Sequence, residues 1–192
     1  MRTEFGNLKI KISTILPAVF STVILIASIM AAAEEKSTSP LDFVPETIAF
    51  NTPYGAPISL EEAVTIIERA EEESKSRKWA MNIAVFDSGA NLVAFQRMDG
   101  SPYASIANAQ RKARTAVKYR RPTKVFEDAL QKPENKYLET IDDIIASRGG
   151  IPIIEAGKII GGIGCSGGAS SQDELICTQA LKALSDFHKN SK

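Results

Sequence analysis

The sequence predicts an α+β domain in which helices pack on an antiparallel sheet. Two pairs of short apolar, β-branched segments are each joined by a glycine-containing turn, which is typical of β-hairpins. Segments with apolar residues at helical spacing precede, separate and follow these hairpins. Because hairpins rather than strand–helix–strand units supply the strands, we expect the sheet to be antiparallel.

The first helix is predicted from Leu60 to about Arg77. Ser59 and Glu62 match the capping-box pattern, in which a serine at the N-cap is followed by a glutamate three positions later. The apolar residues after the cap recur at helical spacing: Leu60, Ala63, Val64, Ile67 and Ala70.

The strands are predicted in two hairpins. Residues 80–87 and 91–98 form the first, with a turn around Gly89. Residues 151–156 and 158–167 form the second, with its turn at Gly157 and Lys158.

Three further helices are predicted from capping residues. Ser105 caps a helix whose buried face is mostly alanine, so we expect that helix to pack closely on the sheet. Thr123 caps a shorter helix, and a capping box that starts at Ser171 opens the last one. Between them, residues 132–148 are a polar connection with a helical turn around residues 138–145.

The N-terminal residues differ from the rest of the chain. A weakly basic start precedes the charge-free segment Ile12–Met30, and three alanines follow before Glu34. This order is typical of a secretory signal peptide, which we predict over residues 1–33. An uncleaved membrane anchor is the alternative. Residues 34–58, rich in proline, predict an extended arm, and residues 59–189 the folded domain.

The charge balance of the chain excludes one class of function. The 192 residues contain 23 basic and 23 acidic side chains, so there is no general electrostatic attraction to nucleic acid. Removal of residues 1–33 takes three basic residues and one acidic residue, which leaves a net charge of −2. We expect a periplasmic or secreted protein that binds a small anionic molecule and contacts a membrane only through an uncleaved signal segment.

A glycine-rich turn is the first candidate binding element. Gly162–Gly167 has the spacing of a dinucleotide-binding loop, but no strand with an acidic residue follows it, so we do not predict such a cofactor. Its backbone N–H groups, at the start of a helix, suit a carboxylate. Gly164, Ser166 and Gly167 are therefore candidate ligand-binding residues; the alternative is a tight turn that needs glycine for its backbone geometry.

The helix after Ser105 is the second candidate. Four cationic residues fall on one side of it and Lys112 flanks its apolar stripe on the other, a pattern that could bind a carboxylate by charge-assisted hydrogen bonds. The alternative is a solvated face paired with acidic neighbours. The four residues of this ridge are Arg111, Arg114, Lys118 and Arg121.

Acidic residues and the histidine offer weaker candidates. Arg97 and Asp99 end a strand, where their pairing would fix the turn. Asp173 complements the dipole of the last helix, with a metal or acid–base role as the alternative. The single histidine, His188, is interpreted as a surface residue; the alternative is an axial haem ligand.

The two cysteines, Cys165 and Cys177, lie at a strand end and inside a helix. Two separate buried thiols are the favoured interpretation, and a disulfide is the alternative in an oxidising compartment.

Four segments together resemble one known family. They are residues 81–106, 110–123, 149–168 and 171–174, and they are similar to the GlcG/HbpS-like family, also called the haem-degrading domain family. The resemblance covers residues 60–184 and implies a profilin-like α-β-α sandwich. It also implies homo-oligomers from dimers to octamers. Some secreted members of the family bind haem; others are encoded near glycolate metabolism or are fused to corrinoid adenosyltransferases.

The resemblance also implies a ligand pocket. Family members that hold haem through a histidine place it upstream, whereas this chain has none before His188. Other haem ligands follow only by elimination: Tyr103, Tyr119, Met81, Met98 and the cysteines. Anion contacts are expected from Lys112 and Arg111. The full set of pocket candidates in the matching segments is Arg97, Asp99, Arg111, Lys112, Thr115, Arg121 and Asp173.

The function predicted from all of this is an exported protein that binds haem or a related tetrapyrrole. One alternative is an enzyme or binding module for a small carboxylate, and another is an oligomeric interaction protein without a ligand. The sequence contains no recognisable nucleophile–base pair, so the prediction does not include a catalytic reaction.

Overall fold

The structure is a computed structural model that describes residues 44–190, without the side chains of residues 183 and 185–190. The predicted signal peptide at residues 1–33 and the first part of the arm lie outside this range. Within it, none of the helices is both long and apolar enough to cross a membrane.

The core of the domain is a four-stranded antiparallel sheet. Its strands are β1 (Asn82–Asp87), β2 (Leu92–Arg97), β3 (Gly150–Glu155) and β4 (Lys158–Ser166), in the order β2-β1-β4-β3. Both predicted hairpins are present, and β1 joins them by pairing with β4. The prediction of an antiparallel α+β fold is confirmed.

The helices lie on both faces of this sheet. They are α1 (Leu60–Ser76), α2 (Ala104–Lys118), the short α3 (Lys124–Ala129) and α4 (Ser170–Asn190), and a 3₁₀ helix (Pro133–Thr140) follows α3. The 3₁₀ helix lies in the polar connection, where we predicted a helical turn nearer to β3.

Alternation along β1 separates the two layers. Ile83 and Val85 point into the core shared with α1 and α4, whereas Ala84 and Phe86 point towards α2. The fold is therefore an α-β-α sandwich, with α1 and α4 on one face and α2 on the other.

Helix α2 packs unusually close to the sheet. A Cβ atom on Gly164 would lie 2.0 Å from the carbonyl oxygen of Ala109, and one on Gly162 would lie 3.0 Å from that of Ala113. These distances confirm the close packing predicted from the small residues of α2. Two glycines of the predicted binding turn, Gly162 and Gly164, thus make room for a helix by lacking a side chain.

One of the predicted caps is confirmed and three are wrong. Both hydrogen bonds of the Ser59–Glu62 capping box are present: the Ser59 side chain accepts the backbone N–H of Glu62, and the Glu62 side chain accepts that of Ser59. Helix α2 begins at Ala104, before Ser105, with no side-chain cap at Tyr103. The Thr123 hydroxyl does not cap α3, because it accepts the backbone N–H of Gly150 at 2.9 Å.

Helix α4 begins one residue before the predicted capping box. Its first residue is Ser170, so Ser171 lies inside the first turn. The Gln172 side chain accepts the backbone N–H of Ala169 at 2.8 Å, which is the back-bond that the prediction gave to Glu174. A glutamine and a glutamate two positions apart fit the same sequence pattern, and only the position of the chain before the helix distinguishes them.

The described part of the N-terminal arm is extended beside the start of β4. Ile159 donates its N–H to the carbonyl of Pro53, and Gly55 donates to that of Ile159, both at 2.8 Å. The Tyr54 hydroxyl donates to the carbonyl of Val117 at the end of α2, at 2.9 Å. The arm therefore binds the sheet and α2 together.

Candidate functional site

A buried ion pair joins α2 to α4. The Lys112 ammonium lies 2.7 Å from Oδ2 of Asp173, and the two side chains are 2% and 3% exposed. Oδ1 of the same carboxylate accepts the backbone N–H groups of Gly167 and Gly168, each at 3.0 Å. We call this group of four residues the polar junction. Its carboxylate has three donors, as a buried charge requires.

The polar junction occupies the anion site predicted at the glycine-rich turn. The N–H groups of Gly167 and Gly168 bind the protein's own Asp173 carboxylate, and Lys112, expected to contact a ligand anion, binds the same group. Asp173 therefore does more than complement the dipole of α4. Ser166, at the end of β4, is buried and pairs in register with Asn82 of β1.

A disulfide between Cys165 and Cys177 lies beside the junction. The favoured prediction of two separate thiols is wrong. Cys165 points towards α4, which places the two Cα atoms 5.9 Å apart, within the usual range for a disulfide. Gly149 packs closely against the junction, because a Cβ atom at this position would lie only 2.8 Å from the Cβ of Asp173.

The cationic ridge of α2 is engaged with other parts of the protein. The Lys118 ammonium binds the Asp143 carboxylate and holds its pKa below the usual value by hydrogen bonding and charge. Arg111 donates to the carbonyl of Ile144 at 3.4 Å. The guanidinium of Arg114 lies 5.3 Å from the centre of the Phe86 ring.

Arg121 and Thr115 also make internal contacts. Burial lowers the pKa of the Arg121 guanidinium, which stacks 4.1 Å from the centre of the Phe50 ring. Thr115 is buried, donates its hydroxyl to the carbonyl of Asp143 at 2.7 Å and accepts the N–H of Ile145 at 3.3 Å. These two candidates hold the arm and the connection before β3 against α2.

A second cluster, around Arg148, was missed by the sequence prediction. Arg148 binds Glu127 at 2.8 Å and lies 3.5 Å from Glu174. Burial alone would raise the pKa of Glu127, but hydrogen bonds from Arg148 hold it below the usual value. No spacing rule connects residues so far apart in sequence, so no sequence signal identified this cluster.

An open groove lies at the end of β2. One part has a volume of about 400 Å³ and the adjoining part about 310 Å³, and both include Lys75, Met98 and Asp99. We call the two parts together the β2-end groove. Its other lining residues are Glu71, Ser74, Lys78, Trp79, Ala80, Gln96 and Arg97.

Basic side chains, an aromatic ring and a thioether are among the groups that line this groove. Three basic side chains, at Lys75, Lys78 and Arg97, face two acidic ones. The guanidinium of Arg97 lies 5.7 Å from the centre of the Tyr103 ring rather than forming the turn with Asp99; the turn is held by Ser101, whose hydroxyl donates to the carbonyl of Met98 at 2.7 Å. Of the predicted site residues, Arg97 and Asp99 lie in this groove.

The structure therefore separates the predicted site residues into three places. Arg97 and Asp99 line the β2-end groove, Lys112, Gly167 and Asp173 form the polar junction, and the others lie along α2 or under it. The side chain of His188 lies outside the described residues. Within residues 44–190, no group of three or more His, Cys, Asp or Glu side chains is arranged to hold a metal ion.

Residues 58–182 match the family model described as "Haem degrading protein HbpS-like". The chain belongs to this family. Protein GlcG of Escherichia coli is 35% identical over 109 residues, which cover 57% of this chain and 81% of GlcG. The resemblance noted in the sequence is thus confirmed.

Solved structures share the fold. Protein ORFY of Klebsiella pneumoniae superposes with a TM-score of 0.66 at 27% identity, covering 74% of this chain and 97% of its own. A double mutant of HbpS from Streptomyces reticuli gives a TM-score of 0.63 at 26% identity, covering 74% of this chain and 96% of its own. The predicted sandwich is the fold of these neighbours.

Proposed function

We propose that this protein binds haem or a closely related tetrapyrrole in the β2-end groove. The family relationship supports the class of ligand, and the lining of the groove supports the place. The deciding observation is that Trp79 and Met98 lie in one groove with Lys75, Lys78 and Arg97.

Some of the lining residues match the chemistry of such a ligand. A tetrapyrrole is a flat apolar ring with two propionate groups at one edge. Trp79 and Met98 offer an aromatic ring and a polarisable thioether to the ring system. The basic side chains offer charge-assisted hydrogen bonds to the propionates. Each part of the groove also has a volume within the usual range for cofactor sites.

The polar junction is a poorer place for a ligand. Its carboxylate, ammonium and backbone N–H groups already bind one another, and the Lys112 and Asp173 side chains are almost fully buried. A ligand anion there would have to displace Asp173 and leave that carboxylate unpaired in the interior, which is costly.

We also propose that the protein is exported to the periplasm or the exterior. The signal-like order of residues 1–33 motivates this proposal, and the Cys165–Cys177 disulfide supports it, because disulfides persist mainly in oxidising compartments. N-terminal sequencing of the protein from a periplasmic fraction tests it. A product that begins at Met1 in the membrane fraction would contradict export as a cleaved protein.

Titration of the purified protein with hemin tests the proposed ligand. We expect a shifted Soret band that saturates at micromolar hemin, and a thermal midpoint that rises with ligand concentration. An unchanged hemin spectrum at these concentrations would show the proposal to be wrong.

A small carboxylate is the second candidate, because Arg97 and Lys75 line the larger part of the groove and would suit a single carboxylate. A thermal-shift panel of small organic acids separates the two candidates. Stabilisation by an acid, without any hemin-dependent change, would favour the second. The homo-oligomer that the resemblance implies stays a prediction, and sedimentation velocity would check it.

A further inference from the structure

We infer that the outer edge of β2 is the contact surface for a second copy of this chain. The second copy pairs its own β2 antiparallel to the first, about a two-fold axis at Phe95, so that the two sheets continue into one. The homo-oligomer itself is an expectation from the resemblance, and the structure adds the surface through which two copies meet. The inference does not depend on haem binding.

The outer side of β2 presents backbone groups that the described part of the chain leaves unpaired. β2 is an edge strand, because the sheet order is β2-β1-β4-β3. Met98, just after β2, donates its N–H to the carbonyl of Met81, just before β1. Since the direction of backbone groups alternates along a strand, those of Phe95 and Arg97 point away from β1. A free edge of this kind is a template for another strand.

The opposite edge of the sheet is closed. Gly150 of β3 exchanges hydrogen bonds with Thr123 on its outer side: its N–H donates to the Thr123 hydroxyl, and its carbonyl accepts the Thr123 N–H, both at 2.9 Å. By the same alternation, Pro152 also faces outward, where it has no N–H to donate. A second copy can therefore extend the sheet through β2 but not through β3.

The side chains of β2 suit pairing with an identical strand. Phe95 is half-buried on the α2 face of the sheet, where α2 packs mainly on β1, β3 and β4. A two-fold axis at Phe95 places the two phenyl rings opposite each other, and such aromatic pairs stabilise antiparallel strands. Arg97 is the one charged residue of β2, and this register sets it opposite Val93 rather than opposite its own counterpart.

Helix α1 lies beside this edge and carries exposed apolar residues. Glu71 and Lys75 line the groove next to the end of β2, so the flank of α1 that bears them faces the β2 edge. Helical spacing puts Leu60 and Val64 on the same flank. These two side chains are 62% and 39% exposed. They are apolar surface that a second α1 would cover.

The charges of α1 favour a second copy as the occupant. The two-fold axis makes the two α1 helices antiparallel. Because strands are roughly 5 Å apart and α1 packs over both β1 and β2, these helices come to about 10 Å, a usual distance for packed helices. The acidic N-terminal half of α1, with Glu61 and Glu68, then lies towards the basic end of the other α1, with Lys75 and Lys78.

A cysteine at the proposed axis tests the surface. The two natural cysteines are joined to each other, so Phe95→Cys adds a single free thiol. Residues that exchange hydrogen bonds in an antiparallel ladder have Cα atoms about 5.5 Å apart, which is within disulfide range. We expect mild oxidation of Phe95→Cys to give a covalent dimer on a non-reducing gel.

Two cysteine variants are the matched controls. In the proposed register, Leu92 lies about 20 Å from its own counterpart, so Leu92→Cys should not cross-link although it is on the same strand. Ile154 is an exposed apolar residue of β3, the closed edge. Ile154→Cys should not cross-link either.

A second pair of variants separates the backbone from the side chain. Arg97→Pro removes the outward N–H but keeps the ladder to β1, whereas Arg97→Gln keeps the N–H. In sedimentation velocity over a dilution series, Arg97→Pro should weaken self-association about tenfold or more, because each dimer loses two hydrogen bonds. Arg97→Gln should associate like the unaltered chain. High salt should weaken the unaltered dimer, since it screens the charges of α1.

The outcomes separate this inference from the proposed function. A chain that sediments as a monomer at every concentration overturns the inference, whether or not it binds hemin. An oligomer in which Ile154→Cys cross-links as readily as Phe95→Cys, or in which Arg97→Pro associates normally, uses another surface and overturns it too. If Phe95→Cys does not fold, the two Arg97 variants decide. A dimer with the expected behaviour that binds no hemin supports the inference and shows the proposed ligand to be wrong.

Discussion

The polar junction and the β2-end groove both contain cations, yet they have opposite surroundings. In the junction, Lys112 and Asp173 are buried and satisfy each other together with two backbone N–H groups. In the groove, Arg97 and Asp99 are exposed to solvent. A charged residue is available to a ligand only where the fold leaves its hydrogen-bonding capacity unused. The comparison therefore assigns stability to the junction and binding to the groove.

The largest effect is expected from Asp173→Ala. This change leaves the Lys112 ammonium buried without a counter-charge and two N–H groups without an acceptor, so we expect a loss of about 3–5 kcal/mol in the free energy of unfolding. Urea denaturation measures it. Glu72→Ala is the control, since it removes a carboxylate from an exposed pair with Arg69 and should cost about 1 kcal/mol or less. A similar small loss in both variants would contradict the role given to the junction.

Reduction of the Cys165–Cys177 disulfide should have the next largest effect. The bond closes a short loop, with a sequence separation of 12, so its loss should lower the free energy of unfolding by roughly 3 kcal/mol. Double substitution of both cysteines by alanine, followed by urea denaturation with and without reductant, checks this. The double variant should no longer respond to reductant. If the unaltered chain is equally unresponsive, the disulfide contributes nothing to stability.

Substitutions in the β2-end groove should have the opposite effect: they should weaken ligand binding and leave the free energy of unfolding almost unchanged. Arg97→Gln and Lys75→Gln should each weaken hemin binding severalfold, because each removes a charge-assisted bond to a propionate. Their unfolding free energies should change by no more than about 0.5 kcal/mol, as for other exposed substitutions. Arg69→Gln, on the same helix as Lys75 but outside the groove, is the matched control for hemin affinity. A loss of stability without a loss of affinity would reverse the assignment.

The smallest effect is expected on the pH dependence of stability. The pKa values of Asp143 and Glu127 lie below their usual values of 3.8 and 4.5 because of Lys118 and Arg148. The folded state thus binds fewer protons than the unfolded one, so this stabilisation is complete above the unfolded values and is lost as the pH falls through the lowered ones. Asp143→Asn should make the thermal midpoint fall less between neutral pH and acidic pH. The same pH dependence in the variant and the unaltered chain would contradict this prediction.

The fold was predictable because its signals are local. The alternation in β1 and β2, the helical spacing after Ser59 and the glycine turns each depend on neighbouring residues. The wrong caps at Ser105, Thr123 and Ser171 also come from local patterns. At the start of α3, a contact with a distant element took precedence over capping, because the Thr123 hydroxyl accepts the N–H of Gly150.

The site was much harder to predict, because its residues are brought together by contacts between distant parts of the chain and not by local patterns. Arg97 and Asp99 were found because they follow a strand. Trp79 and Lys75 were missed, since only the packing of α1 against the end of β2 brings them beside Met98. Lys112 was assigned to a ligand because its partner, Asp173, is 61 residues away. The disulfide prediction was wrong because spacing does not show whether two side chains face each other.

By itself, the sequence determined the class of fold, the order of its elements and the family, because periodicity and short motifs are properties of neighbouring residues. Only the tertiary structure decided which charged groups neutralise each other and which face solvent. Coulombic and hydrogen-bonding partners are chosen by distance in space. That choice leaves Asp173 and Lys112 occupied within the fold, and leaves the groove beside Met98 open.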